Sequence, residues 1–326
     1  MWPRDFNVST LIRFALCAIA YALSAAAMSY PTKPLRMIVP GSTGGPTDIV
    51  ARMLADRLTI AWGQQVIVDN RIGGNGIIAQ QLIARGPTDG HTILVNGVAF
   101  AINPSMYKLP YDSKKDFQPV SLVAHSPLML VVHASVPATT VEALIALAKS
   151  KSGQLNYGSF GNGSIVHLGC ELFKMTAGIE MTHIVYRGVS MALTDLISGQ
   201  IQVMLITIPS ALQHLNTGRI RGLAVTSRQR SSRVPSMPTM VEAGVPGYEL
   251  TTWFGVFVPA GTPRAIVIKL QEQVARILDI QDVRVQLDKQ GFDVAPANSP
   301  EQFSAFLQVE TDKFAKIVKA AGIRAD

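Results

Sequence analysis

Two glycine-bearing turns hold the residues best placed to do chemistry. The first, Gly41-Ser42-Thr43-Gly44-Gly45-Pro46-Thr47-Asp48, lies between a β-rich run, Leu35 to Val39, and a helical repeat of Ile49, Val50, Met53, Leu54 and Leu58. Gly44 and Gly45 let a ligand approach the backbone, Pro46 suits a first helical position, and Thr47 and Asp48 fall in the first turn. The second, Gly158-Ser159-Phe160-Gly161-Asn162-Gly163-Ser164, also follows a strand-like run, and Ser164 is placed to cap a helix from Ile165 to Met175. Here Gly161 and Gly163 would offer amides, and Ser159 and Ser164 hydroxyls. Unpaired amides at a helix start attract anions, so two such turns are suited to closing on one carboxylate. The structural alternative is that the glycines only shape turns and Asp48 only complements a helix dipole. Because its charge repels a carboxylate, Asp48 is assigned to placing a water or meeting a ligand amino group.

Other chemistry-bearing patterns carry less. Gly74-Asn75-Gly76-Ile77-Ile78-Ala79 fits a dinucleotide fingerprint, but the acidic residue due at the end of the next strand is Asn96. Nucleotide binding is therefore set aside, and the Gly76 turn is read as lining a cleft. Neither a phosphate-binding loop nor a hydrolase nucleophile elbow is present. Ser164 and His167 share a helix face and read as a cap and a packed ring rather than a nucleophile and base. The six histidines lack metal-ligand spacing, so neither a metal nor a cofactor is expected.

The elements that must position these turns alternate. Strands are predicted at Leu35–Val39, Val66–Val68 and Thr92–Val95, with helices between them, a βαβαβ rhythm that builds a parallel sheet with ligands at the C-terminal strand ends. A fresh unit starts near Pro119, with strands at 128–132, 155–157, 183–185, 201–205 and 222–225. The stretch from Val234 to Pro246 reads as a crossing segment. Thereafter Val256–Val258 reads as a strand, Thr262-Pro263 as a cap and first helical residue, and Ser299-Pro300-Glu301-Gln302 as a capping box opening the last helix.

Length and composition fit this α/β reading. The 326 residues, 48% hydrophobic and 16% charged, suit about two domains with a core each. The 29 basic and 22 acidic residues give +7, scattered rather than striped, which favours small anions over nucleic acid. Arg4 and Arg13 precede an apolar run, Phe14 to Leu23, followed by Ala25-Ala26-Ala27, the pattern of a cleaved secretory signal over residues 1–27. Its removal takes Arg4, Arg13 and Asp5, leaving 27 basic and 21 acidic residues, +6, and Cys170 as the one cysteine. The mature protein is then expected in the periplasm, without an internal disulfide and as a monomer.

A resemblance ties these features together. Gly44-Gly45-Pro46-Thr47-Asp48-Ile49-Val50-Ala51-Arg52, Val68-Asp69-Asn70-Arg71, Pro87-Thr88-Asp89-Gly90-His91-Thr92, Tyr157 to Ser164 with His167-Leu168, Ala224-Val225-Thr226-Ser227 and Trp253-Phe254-Gly255 look like the Bug family. Its members are extracytoplasmic solute receptors of tripartite tricarboxylate transporters. The resemblance implies a type 2 periplasmic-binding-protein fold: two doubly wound α/β domains, 28–122 with 252–326 and 123–251, joined by two crossings around a ligand cleft. It also implies that a ligand carboxylate sits between Gly44–Asp48 and Ser159–Ser164, partly through water, and that the ligand is a carboxylate, an amino acid or an aromatic acid. The implied partners are membrane permease subunits or, if the closed form signals instead, a sensor kinase. The family's Asp-Asn near one strand end of the second domain is here Ile206-Thr207, positions lying toward the cleft. With that acidic group gone and a net charge of +6, a more anionic or more neutral-polar ligand than the family norm is expected. A secreted enzyme is the remaining alternative and would require a nucleophile or a titrating pair in the cleft.

Overall fold

The computed structural model describes residues 30–186 and 188–323. The expected signal peptide, 1–27, lies outside the described residues. In the first half, β1 (Leu35–Val39) leads through the first glycine turn into α1 (Pro46–Trp62), then β2 (Val66–Asn70), a short turn at Gly74–Gly76, α2 (Ile77–Ala84), β3 (Thr92–Gly97) and α3 (Ala99–Met106). β4 (Phe117–His133) then runs into a second series: α4 (Val141–Ser150), β5 (Asn156–Ser159), α5 (Ile165–Ala177), β6 (Thr182–Val185), α6 (Val189–Ser198), β7 (Val203–Thr207), α7 (Ile208–Leu215) and β8 (Ile220–Val225). The chain returns through β9 (Thr251–Pro259), α8 (Arg264–Leu278), α9 (Gln281–Lys289), the short β10 (Asp293–Val294) and α10 (Pro300–Ala320).

The strands join in the order β2-β1-β3-β9-β4-β7-β5-β6, with β8 and β10 also paired to β4. β1 is parallel to β2 and β3, and β5 is parallel to β6 and β7. β4 is the seam. From Phe117 to Pro127 it pairs antiparallel with β9, and from Leu128 onward with β7 and β8. Thr226 closes the seam: Leu128 N–H donates to its Oγ1 at 2.8 Å, its own N–H donates to Leu128 O at 2.9 Å, and its carbonyl accepts from Leu250 N–H at 2.9 Å. One fully buried residue thus ties together the two passages between the halves.

Two predicted features differ. Val234–Pro246 does not cross: Met240 and Val245 pack into the second half, and Met240 N–H pairs with Val225 O at 2.9 Å. Prolines there end regular structure, but the actual return begins at Leu250. Helix α8 starts one residue later than its Thr262-Pro263 signal, because Thr262 Oγ1 turns back to Pro259 O at 2.8 Å and Pro263 takes the cap position. The capping box at Ser299 and Gln302 forms as read.

The core also divides differently from one per half. One apolar cluster under α1, α8 and α9 serves the first half, another under α6 and α7 serves the second, and a third runs through both. Helix α10 causes the continuity by packing on α3, β4 and α5 at once. Phe303 presses so close to β9 that a Cβ on Gly255 would lie 2.2 Å from its ring. Fully burying such a side chain is worth about 1.5–3 kcal/mol, so this shared layer is a substantial part of what holds the halves together.

Candidate functional site

A cavity of about 740 Å³ lies between the halves, at the C-terminal ends of the parallel strands. Six helices begin on its wall: Pro46 and Thr47 open α1, Gly76 precedes α2, and Val98 and Ala99 open α3 from the first half. From the second half, Ile165 and Val166 open α5, Val189 opens α6, and Thr207 caps α7. The first amides of a helix have no intrahelical acceptor and carry the positive end of its dipole. The cavity is therefore electropositive without any lysine, arginine or histidine on its wall among the described residues.

The first turn is drawn together by Asp48, whose side chain is almost fully buried and curls back from the cavity. Its Oδ2 accepts from Gly44 N–H at 2.8 Å and from Arg52 Nε at 2.8 Å, and its Oδ1 accepts from Asn70 Nδ2 at 2.9 Å. Burial alone would raise its pKa, but hydrogen bonds from Arg52, Gly44 and Asn70 hold the carboxyl below its ordinary range. Gly45 N–H is likewise used, donating to Ser42 O at 2.9 Å. The glycine amides thus shape the turn. Those of Thr47 and Asp48, one and two residues inside the helix, have no intrahelical partner, because Ile49 N–H makes the first helical bond to Gly45 O.

The second turn reaches the same end by other means. Gly163 N–H donates to His167 Nδ1 at 3.2 Å, Ser164 N–H to Gly161 O at 3.2 Å, and Ser164 Oγ accepts from His167 N–H at 3.3 Å as the cap. Gly163 has φ +71°, and a Cβ there would meet Met106 of α3 at 2.7 Å, so this glycine is also where the two halves touch. Ser159 is buried and bonded to His183 Nε2 at 2.6 Å. Behind it, His167 and His183 stack at 3.9 Å between ring centroids and Tyr157 covers His183 at 4.8 Å. Tyr157 Oη donates to Glu171 at 2.6 Å, and Lys174 neutralises Glu171 at 2.8 Å. Burial, and then the neighbouring His183 and Lys174, hold His167 down at about 4. The pair is neutral at pH 7, so it packs as rings.

Of the residues singled out from sequence, Gly44, Thr47, Gly76 and Thr207 line the cavity. Gly45, Asp48, Ser159, Gly161, Gly163 and Ser164 do not; they build the turns from behind. The reason is shared: a turn tight enough to aim a helix start must satisfy its own polar groups, and these residues do that. Sequence reasoning passed over Ile165 and Val166, whose first-turn amides face the site while their side chains look merely apolar. It also passed over Phe160, Trp253 and Phe254 as wall residues, and over helix α3, whose Pro104 disguised it. Asn96 was noticed only as a missing acid, yet it lines the cavity.

Ser164 is the cap expected, its Oγ accepting from the backbone N–H of His167, and the His167 ring packs on His183. Among the described residues no cluster of three or more His, Cys, Asp or Glu is placed to hold a metal, and no helix is long and apolar enough to cross a membrane.

The pattern that defines the tripartite tricarboxylate transporter family receptor matches residues 50–323. This chain belongs to that family, whose members are periplasmic solute-binding receptors. It is similar to protein BugT of Bordetella pertussis, 34% identical over 327 residues that cover 98% of this chain and 99% of that one. An R. palustris protein, Rpa4515, solved with adipate, is 36% identical with a TM-score of 0.79, covering 91% of this chain and all of that one. MatC from Rhodopseudomonas palustris, solved with malate, is 31% identical with a TM-score of 0.73 over 89% of this chain and all of that one. The mixed α/β architecture is accordingly that of periplasmic binding proteins of this family.

Proposed function

We propose that the protein captures a small carboxylate-bearing solute between two lobes in the periplasm and presents the closed form to the membrane subunits of a tripartite tricarboxylate-type transporter. The observation that carries this is the convergence of unpaired helix-start amides from both halves on one cavity. On this reading the carboxylate is held by the Thr47 amide from one lobe and the Ile165 and Val166 amides from the other, with Gly44, Gly76 and Thr207 on the wall. Gly45, Ser159, Gly161, Gly163 and Ser164 set those amides in place. Asp48 anchors the turn rather than touching the ligand. Capture needs no turnover, and adipate in Rpa4515 and malate in MatC support a carboxylate as the cargo. The lobes, 28–122 with 252–326 and 123–251, would swing about the Thr226 seam, because only the closed form lets both sets of amides meet one ligand.

Thermal shift over carboxylates and cations tests this. A bound acid at one hundred times its Kd adds about 2.7 kcal/mol and raises Tm by several degrees. If no carboxylate moves Tm while a diamine does, the reading falls.

A further inference from the structure

The wall of the cavity narrows the solute class. Beyond the helix starts it is mostly apolar, with Phe160, Leu205, Trp253, Phe254 and Phe292 beside the polar Ser126, Thr252 and Gln290. Trp253 offers its ring alone, since its Nε1 is committed to Glu310 at 3.1 Å. The hydroxyl of Thr207 is turned to Ser210 at 2.9 Å, and Asn75 Nδ2 to Asn103 at 2.8 Å. Asn96 is different. It is 1% exposed, its Oδ1 accepts from Gly97 N–H at 2.7 Å, and its Nδ2 is buried with no hydrogen-bond partner. The Gly97 bond fixes which end of the amide is which, so the orphan is a donor. A buried donor without a partner costs about 1–3 kcal/mol, and a site retains that cost when a ligand atom repays it. Asn96 is the penultimate residue of β3, which runs parallel to β1 with Leu94 opposite Ile38, and Asn96 and Pro40, just before the first turn, both line the cavity. Asn96 therefore belongs to the same cavity wall as the first turn.

We propose that the solute is a monocarboxylate with an apolar aromatic or branched body and an uncharged acceptor oxygen beside the carboxylate, read by Asn96 Nδ2. This rests on the capture reading above. A second carboxylate placed away from the helix starts would be buried against a largely apolar wall with no cation among the described residues, which costs more than one amide returns.

Isothermal titration with phenylpyruvate, 3-phenylpropionate and adipate tests it. Phenylpyruvate is expected to bind about tenfold more tightly than 3-phenylpropionate, as one hydrogen bond predicts, and more tightly than adipate. Asn96→Leu should abolish the preference between the two phenyl acids. Should that variant not fold, Asn96→Asp keeps the bond from Gly97 and replaces the donor with a charge, so it should weaken all three acids and erase the preference for phenylpyruvate. If adipate binds as tightly as phenylpyruvate or tighter, this inference fails and carboxylate capture stands. A keto-acid preference that survives both substitutions removes Asn96 from the role. If none of the three acids binds and phenethylamine does, capture of a carboxylate falls and this inference with it.

Discussion

The two turns present the same chemical group by opposite means. The first is held by an ion pair: a buried carboxylate, a half-exposed Arg52 and an asparagine, with the glycine amide as fourth partner. The second is held by a neutral stack of two imidazoles and a phenol, with the charge of Lys174 and Glu171 kept one layer away. They also differ at the first helical position. Pro46 has no amide to give, so α1 offers none before its second residue, Thr47, whereas Ile165 offers an amide at the first. The comparison teaches that the amides facing a ligand need not belong to the glycines that draw attention; glycines allow the turn, and the next helix supplies the donors.

Removing the ionic anchor should have the largest effect. Asp48→Ala leaves Gly44 N–H without its acceptor, unpairs Arg52 Nε and leaves Asn70 Nδ2 with Gly41 O alone, and unfolding by urea is expected to show a loss of about 2–3 kcal/mol. A loss below about 0.5 kcal/mol would mean that the network does not organise the first turn.

Next is the donor itself. Proline suits a first helical position, and Ser164 with φ −64° and ψ 154° already has the conformation that precedes one. Ile165→Pro should thus keep Tm while deleting one amide, weakening carboxylate binding about tenfold, or about 1.4 kcal/mol. Ile165→Ala controls for the lost side chain; equal affinities for the two variants would remove this amide from the site.

The smallest effect separates the anchors by pH. His167 is depressed to about 4 when folded, against about 6.5 when unfolded, so between these values the unfolded chain binds more protons. Stability must fall on acidification across that window, and His167→Gln should be spared about 1 kcal/mol of the loss between pH 7 and pH 5.5. Asp48, whose folded pKa is lowered, keeps its contribution throughout and yields it only below the ordinary carboxylate range. Parallel pH slopes for the two proteins would show that the buried ring does not titrate as placed.

Much of the fold was legible because its signals are local. Alternation of strand and helix, the Ser164 cap and the Ser299 capping box depend on neighbours within a few residues. The site was half legible. Residue type located both turns, but type cannot say which side of a turn a group occupies. Gly44 and Asp48 looked like donor and awkward neighbour, and the structure bonds them to each other at 2.8 Å. Ile165 looked like core and supplies the wall.

What the sequence by itself determined is the family, the βα rhythm and the two strand-turn-helix units, all properties of short stretches. Tertiary structure alone decided that β4 changes partners at Leu128, that α10 merges the halves into one shared apolar layer, and that Asn96 is left with a buried donor beside the first turn. These depend on contacts between residues tens to hundreds of positions apart. Such contacts are selected by the packing and hydrogen-bond balance of the whole chain, which no local pattern encodes.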